Sequence, residues 1–230
     1  MYIDFHSHIL PAADHGSDGI EMSLEQIKYA KAAGVSVIVA TPHYYMEDET
    51  IDEFLKRREA AYSELVSQNL QGIKVYKGAE VRLGIGIENL DGLEKLCIEG
   101  TDYILVEFPP EPWPYWLFDS VKAIARERHL RPICAHIDRY SKSGRDKILK
   151  LNIDVQINAD AFLESRRHRH EYLRLIADDA VHLLGSDVHG DGKISYKIYS
   201  SAVKKIGKLM PAIEYNSERI IRKVEKNRNI

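Results

Sequence analysis

Histidine or a carboxylate stands at or just past the end of six of seven apolar runs in this chain, and that placement constrains the fold more than any other feature. The runs, at 2–9, 35–41, 74–81, 103–108, 132–137, 154–158 and 182–186, alternate with helix-like segments. Those segments lie at 23–33, 52–68, 114–129, 145–150, 171–179, 195–210 and 216–227. Such βα alternation predicts a parallel sheet, either closed like a barrel or open and doubly wound. Runs such as VSVIVAT are apolar on both alternations, as expected when both sheet faces are covered. The segment 23–33 is expected to begin on a capping box of Ser23 and Gln26 and to stop at Gly34.

The polar residues follow a pattern. His6 and His8 are two apart, so they point to one side of the first run. His43 follows the second run, Glu80 closes the third, and Glu107 comes last in the fourth. His136 lies in the fifth with Arg139 beyond it, and Asp187 and His189 follow the seventh; Asp14 sits in the loop after the first. A lone strand histidine is more often a hydrogen-bonded core residue, and a lone carboxylate a cap or an ion pair. Six of seven runs ending this way is different, because buried carboxylates need partners or metal, and the carboxyl ends of parallel strands form the functional face.

Five histidines and four carboxylates make nine potential ligands, which suit two or three divalent ions with some bridging. With no thiolate among them, Mn, Fe or Zn fits better than a structural zinc. Three divalent ions bring six positive charges against four carboxylates, leaving about two, a balance that suits a hydroxide and a phosphate. Such a cluster lowers the pKa of bound water towards about 7 and orients it in line, so hydrolysis of a phosphoester is the chemistry implied.

Composition narrows the setting. A chain of 230 residues, 44% apolar, is expected to form one domain over 1–230. A formal charge of −3 argues against a general nucleic-acid surface, and the basic stretch SRRHRH reads as a solvated helix start. No apolar run approaches the roughly 18 residues of a membrane span, so no membrane insertion is expected, and Met1 leading straight into strand-like sequence is read as no signal peptide. Two cysteines, Cys97 and Cys134, make no disulfide framework, so a cytoplasmic setting is expected. Cys134 is no thiol nucleophile on this reading: one residue too few separates it from Arg139, and no Gly-rich cradle surrounds it.

The motifs DFHSHILP, TPH, GAE, VEFP, AHIDRY and SDVH stand in the order and spacing of the polymerase-and-histidinol-phosphatase (PHP) superfamily. More narrowly, HILP with the following Asp and Gly-Ser, VEFP, AHIDRY and QINA resemble the bacterial manganese-dependent protein tyrosine phosphatases of capsular and exopolysaccharide loci. The resemblance covers essentially the whole chain. It implies a distorted (β/α)7 TIM-like barrel, three divalent ions (manganese, with iron or zinc as alternatives) and phosphotyrosine-protein substrates, typically the Tyr-rich tail of a cognate autokinase. It leaves a homo-oligomer open. Carried over by residue, it implies His6, His8, Glu80 and Asp187 around a first metal. Glu80 bridges to a second completed by Glu107 and His136, and Asp14, His43 and His189 hold a third. Arg139 is implied to grip the phosphate with its planar fork of donors; a surface salt bridge with Asp138 is the plainer role for it.

Two positions depart from the family pattern. Relatives read Pro-Gly-x-Asp-Asp-Gly-Ser, whereas here Pro11 is followed by Ala12, Ala13, Asp14 and His15. Asp14 is retained as the expected ligand; His15 is the alternative, replacing or supplementing it as a nitrogen donor that would move the third site towards zinc, or contacting the phosphate. Relatives also carry an arginine after SDVH, where this chain has GDGKISY and only Lys193 as the nearest cation. Other readings remain at this point. One is a PHP-type phosphoesterase for a small molecule such as histidinol phosphate, or for phosphodiesters. An amidohydrolase-type barrel expects a histidine where Asn158 ends the sixth run. A non-enzymatic metal-binding protein should have lost ligands, yet all nine are present. Tyr44, Tyr45, Trp113, Tyr115 and Trp116 stand just past run ends, as an aromatic substrate frame or as an apolar lid or subunit contact.

Overall fold

The computed structural model describes residues 2–228. Along the chain come β1 (Tyr2–Ser7), α1 (Ile20–Ala32), β2 (Val35–Ala40), β3 (His43–Tyr44), α2 (Ile51–Val66), β4 (Lys74–Lys77), β5 (Glu80–Arg82) and β6 (Tyr103–Glu107). They are followed by α3 (Trp116–Arg126), β7 (Arg131–Cys134), α4 (Lys142–Leu149), β8 (Asp154–Asn158), α5 (Arg166–Ala177), β9 (Leu183–Gly185), α6 (Gly192–Ile206) and α7 (Met210–Arg228). Every pairing between these strands is parallel. The strands pair in the orders β1-β2-β4 and β3-β5-β6-β7-β8-β9.

The run expected at 74–81 breaks into β4 and β5 around Gly78 and Ala79, and the run at 35–41 is followed by the short β3. Across the breaks the chain stays in step: Gly78 N donates to Ala40 O at 2.8 Å and Glu80 N to Pro42 O at 3.0 Å. The two sets of strands therefore run into one another as a curled parallel sheet, a half-barrel. At its far side Asp187 N donates to His6 O at 2.8 Å, bringing β1 beside the segment after β9. A register slip between Asp4 and Ser7 marks where β1 turns from apolar core to buried imidazoles.

Ile3, Phe5, Val39, Leu105, Ile133 and Leu183 fill one buried cluster, which Ile220, Ile221 and Val224 of α7 complete. The same helix crosses the starts of the strands, where Lys223 Nζ meets Asp102 Oδ1 at 3.0 Å and Arg219 Nη2 meets Asp154 Oδ1 at 3.3 Å. One end of the sheet is thus closed by packing, and the carboxyl ends of the strands are left for chemistry.

The expected capping box at Ser23 and Gln26 does not form. Helix α1 starts earlier, its N-cap Gly19 makes no side-chain cap, and Ser23 and Gln26 are buried inside the helix. The spacing was right, but tertiary contacts outcompete the cap for these side chains. Ser23 Oγ lies 2.8 Å from Ser17 Oγ, and Gln26 Nε2 donates to Gly16 O at 3.2 Å and to Gly190 O at 2.9 Å, stapling two loops together. A complete capping box forms instead at Thr50 and Glu53 on α2, a device worth about 1 kcal/mol. SRRHRH does open a solvated helix: Ser165 Oγ accepts from His168 N at 3.2 Å at the start of α5.

Candidate metal centre

Short strands and tight turns bring the polar residues together. β7 stops at Cys134, and His136 follows in the left-handed region with φ 30°; Asp187, two residues past β9, has φ 49°. Non-glycine residues rarely sit there, and the strain marks positions where backbone comfort has yielded to aiming a side chain. After β1 the chain turns so tightly that a Cβ on Gly16 would lie 2.1 Å from His8 Cβ, so only glycine fits beside that histidine.

Four donor atoms then converge. His6 Nε2, His8 Nε2, Glu80 Oε2 and Asp187 Oδ1 are separated by 3.1 Å (His6–His8), 3.3 Å (His6–Glu80 and both His8–carboxylate pairs) and 3.6 Å (His6–Asp187). A tetrahedron of ligands about 2.0–2.1 Å from one ion has edges of about 3.4 Å. The five separations match such edges, and Glu80 Oε2 and Asp187 Oδ1, although buried, have no hydrogen-bond partner among the described residues. The other oxygen of Glu80 lies 2.7 Å from His136 Nε2, which is 3.7 Å from Glu107 Oε1. His43 Nδ1 is 3.0 Å from Glu80 Oε2, and donors of His43, Glu80 and Glu107, like those of His8, His43 and His189, lie within 4.8 Å of one another.

Burial opposes charge on every group here, and pairing decides the outcome. Against burial, the charge of His6 and contacts from His136, His43 and His6 hold Glu80 well below the usual carboxylate range. Asp187 is held low in the same way by His6, His8 and Arg139. His8 is raised well above its ordinary value, since bonds to Asp14, Asp187 and Glu80 outweigh burial. Glu107, farther out, is pushed up by burial and then by the charge of Glu80, while burial and the neighbouring His8 lower His189 to about 4. Carboxylates thus balance against imidazolium protons, and divalent ions compete with those protons for the same donors.

Asp14 lies beside the cluster, held by three donors. Its Oδ2 accepts from His8 Nδ1 at 2.7 Å and from His43 N at 3.0 Å, and its Oδ1 accepts from Gly16 N at 2.9 Å. His15 is exposed, its ring 4.8 Å from that of His43 and 4.6 Å from that of His189, whose own separation is 5.7 Å. Arg139 pairs with Asp187 Oδ2, not with Asp138, which accepts from Asn158 N at 2.8 Å. Lys193 lies in the first turn of α6, exposed and away from the cavity lining. Cys134 is fully buried, and burial pushes its thiol well up.

A cavity of about 550 Å³ opens over the cluster, lined by His15, His43, Tyr45, Glu107, Arg139, Asp160, Ser186, Asp187, His189, Ser195 and Ile198. Of the five aromatics singled out in the sequence only Tyr45 lines it, stacked 5.2 Å from His43. Tyr44 is core against Phe54, Trp113 packs on Phe108 and Tyr140, and Tyr115 is exposed. Sequence reasoning missed Asp4, whose carboxylate accepts from Ser186 N at 2.8 Å and Tyr196 OH at 2.9 Å and ties β1 to the Asp187 loop. An aspartate inside the apolar run YIDF was its signal. It also missed Gln156, a buried amide in VQIN.

Curled parallel strands with histidines and carboxylates gathered at their carboxyl ends define a class of α/β proteins with a metal-type donor cluster on that face. Within it, the chain belongs to the capsular polysaccharide synthesis CpsB/CapC family, whose model matches residues 2–222. It is 28% identical over 206 residues to the putative tyrosine-protein phosphatase CapC of Staphylococcus aureus, covering 81% of this chain and 76% of that protein. With the tyrosine-protein phosphatase YwqE of Bacillus subtilis it shares 27% over 204 residues, covering 81% and 77%. Its fold matches, with TM-score 0.77 and 23% identity, a structure from a study of YwqE from Bacillus subtilis and CpsB from Streptococcus pneumoniae as metal-dependent tyrosine phosphatases, covering 96% of this chain and 95% of that one.

Proposed function

We propose that this protein is a metal-dependent protein-tyrosine phosphatase that removes phosphate from a phosphotyrosine protein of polysaccharide synthesis, with the tail of a cognate tyrosine autokinase as its substrate. The observation that carries the reading is the cluster of His6, His8, Glu80 and Asp187 donors beside Arg139 at the floor of an open cavity. In this reading residues 1–230 are one domain, and the seven strand runs form a distorted (β/α)7 barrel, supported by the Asp187–His6 bond that joins its first strand to the segment after its last.

Three ions, manganese by preference, are held in this reading by His6, His8, Glu80 and Asp187, by Glu80, Glu107 and His136, and by a third group around His43 and His189. When bound they supply Lewis acidity and a water ionised near neutral pH. The chain's own residues do the rest. Arg139 presents its guanidinium to the phosphate oxygens and gathers charge as the ester bond breaks. Asp187 Oδ2 holds that guanidinium in the cavity, and Asp14 fixes His8 through Nδ1, leaving Nε2 as the donor. Tyr45 and Ile198 give the cavity an apolar wall for a phenyl ring.

For the third group we assign His15 rather than Asp14. Three imidazoles on one ion, at bond lengths of about 2.0–2.1 Å, hold their ring centres about 5 Å apart, and His15, His43 and His189 make a triangle of 4.6–5.7 Å. Asp14 is already engaged by three donors. Elemental analysis separates the two: His15→Ala loses one metal equivalent per chain while Asp14→Asn retains it, and the reverse result returns the position to Asp14.

The activity is tested on purified protein loaded with manganese, using a phosphotyrosine peptide, phosphoserine and histidinol phosphate. Hydrolysis of the phosphotyrosine peptide that EDTA abolishes and manganese restores is expected. Equal or better turnover of histidinol phosphate would replace the protein-substrate reading with a small-molecule one.

A further inference from the structure

The strongest feature outside the ligand set is a buried chain of hydrogen bonds on β8. Gln156 is fully buried and Asn158 nearly so, two residues apart on one face of the strand. Gln156 Oε1 accepts from the backbone N–H of His136 at 2.6 Å and faces His6 Nδ1 at 3.2 Å. Gln156 Nε2 donates to Asn158 Oδ1 at 2.8 Å, and Asn158 Nδ2 donates to Asp187 Oδ2 at 2.9 Å. The two ends of this chain of bonds come together without a bond, His6 Nε2 lying 3.6 Å from Asp187 Oδ1.

The orientation of every member follows from one group that cannot be reversed. A backbone N–H is only a donor, so the Gln156 atom facing His136 N must be the oxygen. That oxygen leaves His6 no role at Nδ1 but to donate, which puts the proton on Nδ1 and the lone pair on Nε2. The amide nitrogen of Gln156 in turn fixes the oxygen of Asn158, and the nitrogen of Asn158 meets Asp187 Oδ2. Asp187 Oδ1 is then the oxygen left facing His6 Nε2 and His8 Nε2, with no hydrogen-bond partner among the described residues. The chain also makes room for this device: a Cβ on Gly185 would lie 2.6 Å from Gln156 Nε2 and 2.6 Å from His6 Cβ.

We propose that Gln156 is the positioning residue of the first metal group: its one amide sets the tautomer of His6 directly and aims the carboxylate of Asp187 through Asn158. The inference rests on the reading that His6 and Asp187 share an ion. It assigns no contact between Gln156 and substrate. Outer partners of metal ligands typically contribute 10–100-fold in affinity, and one amide here serves two ligands.

Zinc affinity, measured by competition with a chromophoric chelator, gives one readout. The hydrogen-bonded Nδ1 proton of His6, followed by NMR in the zinc-loaded protein, gives another. Gln156→Leu is expected to weaken zinc binding about 10–100-fold and to expose the His6 Nδ1 proton to rapid exchange. Asn158→Ala should weaken binding while the Nδ1 proton stays protected, because His136 N still holds the Gln156 oxygen. Should Gln156→Leu fail to fold, Gln156→Glu takes its place: it keeps the acceptor for His6 but sets an oxygen against Asn158, so affinity falls with the proton retained. Wild-type zinc affinity in Gln156→Leu, or in Gln156→Glu where that stands in, overturns the proposal, as does loss of the proton in Asn158→Ala. A wild-type protein that takes up neither zinc nor manganese overturns the metal reading as well.

Discussion

Glu80→Gln lowers kcat/KM for a phosphotyrosine peptide by about 10³-fold or more, equivalent to about 4 kcal/mol of transition-state stabilisation. Glu80 is fully buried and offers one oxygen to the His6, His8 and Asp187 group and the other to His136. Glutamine fills the same volume but removes the charge and replaces one oxygen with an amide nitrogen, which has no lone pair to offer an ion. Two of the three donor groups therefore fail together. Metal content should fall in the same sample, and the fold should persist, since glutamine keeps the shape of the buried side chain. Turnover within tenfold of wild type with full metal content would show that Glu80 bridges nothing.

Arg139→Ala should cut turnover almost as deeply, about 10³-fold, while leaving metal content intact. The guanidinium is half exposed, paired with Asp187, and it is the single lysine or arginine among the cavity-lining residues. Burial disfavours its charge, but Asp187 and Glu80 keep it firmly protonated. Removing it leaves Asp187 Oδ2 still bonded to Asn158, so the ligand stays oriented. Arg139→Lys should recover little, since an ammonium cannot form two parallel bonds to a phosphate. Loss of metal in Arg139→Ala would make the residue a support for Asp187 rather than a contact for phosphate.

Much of this centre was legible because its residues obey a rule of position. His6, Glu80, Glu107, His136 and Asp187 stand at or just past the ends of apolar runs, and in parallel sheets those ends meet. The seventh run and the exact span of β8 were equally plain, both being short, with aliphatic residues between polar ends. Other features were hidden for physical reasons. The break of one run into β4 and β5 leaves no mark in periodicity, because Gly78 and Ala79 read as ordinary small core residues. Ser23 and Gln26 have the spacing of a cap, and nothing local reveals that loops from elsewhere claim them. Asp14 and His15 are adjacent, and which one turns inward depends on a backbone turn set by Gly16 packing on His8. Lys193 was the nearest cation in sequence but lies on the outer surface of its helix start.

Gln26 carries a consequence beyond its own helix. Its amide nitrogen holds Gly16 in the loop that bears Asp14 and His15, and Gly190 in the loop that bears Asp187 and His189. Gly192 approaches so near that a Cβ there would lie 2.7 Å from Gln26 Cα. The two loops, more than 170 residues apart in the chain, are therefore anchored to a common post on α1. Loosening one frees the other, so the mouth of the cavity behaves as a single hinged rim whose stiffness is set from outside the site.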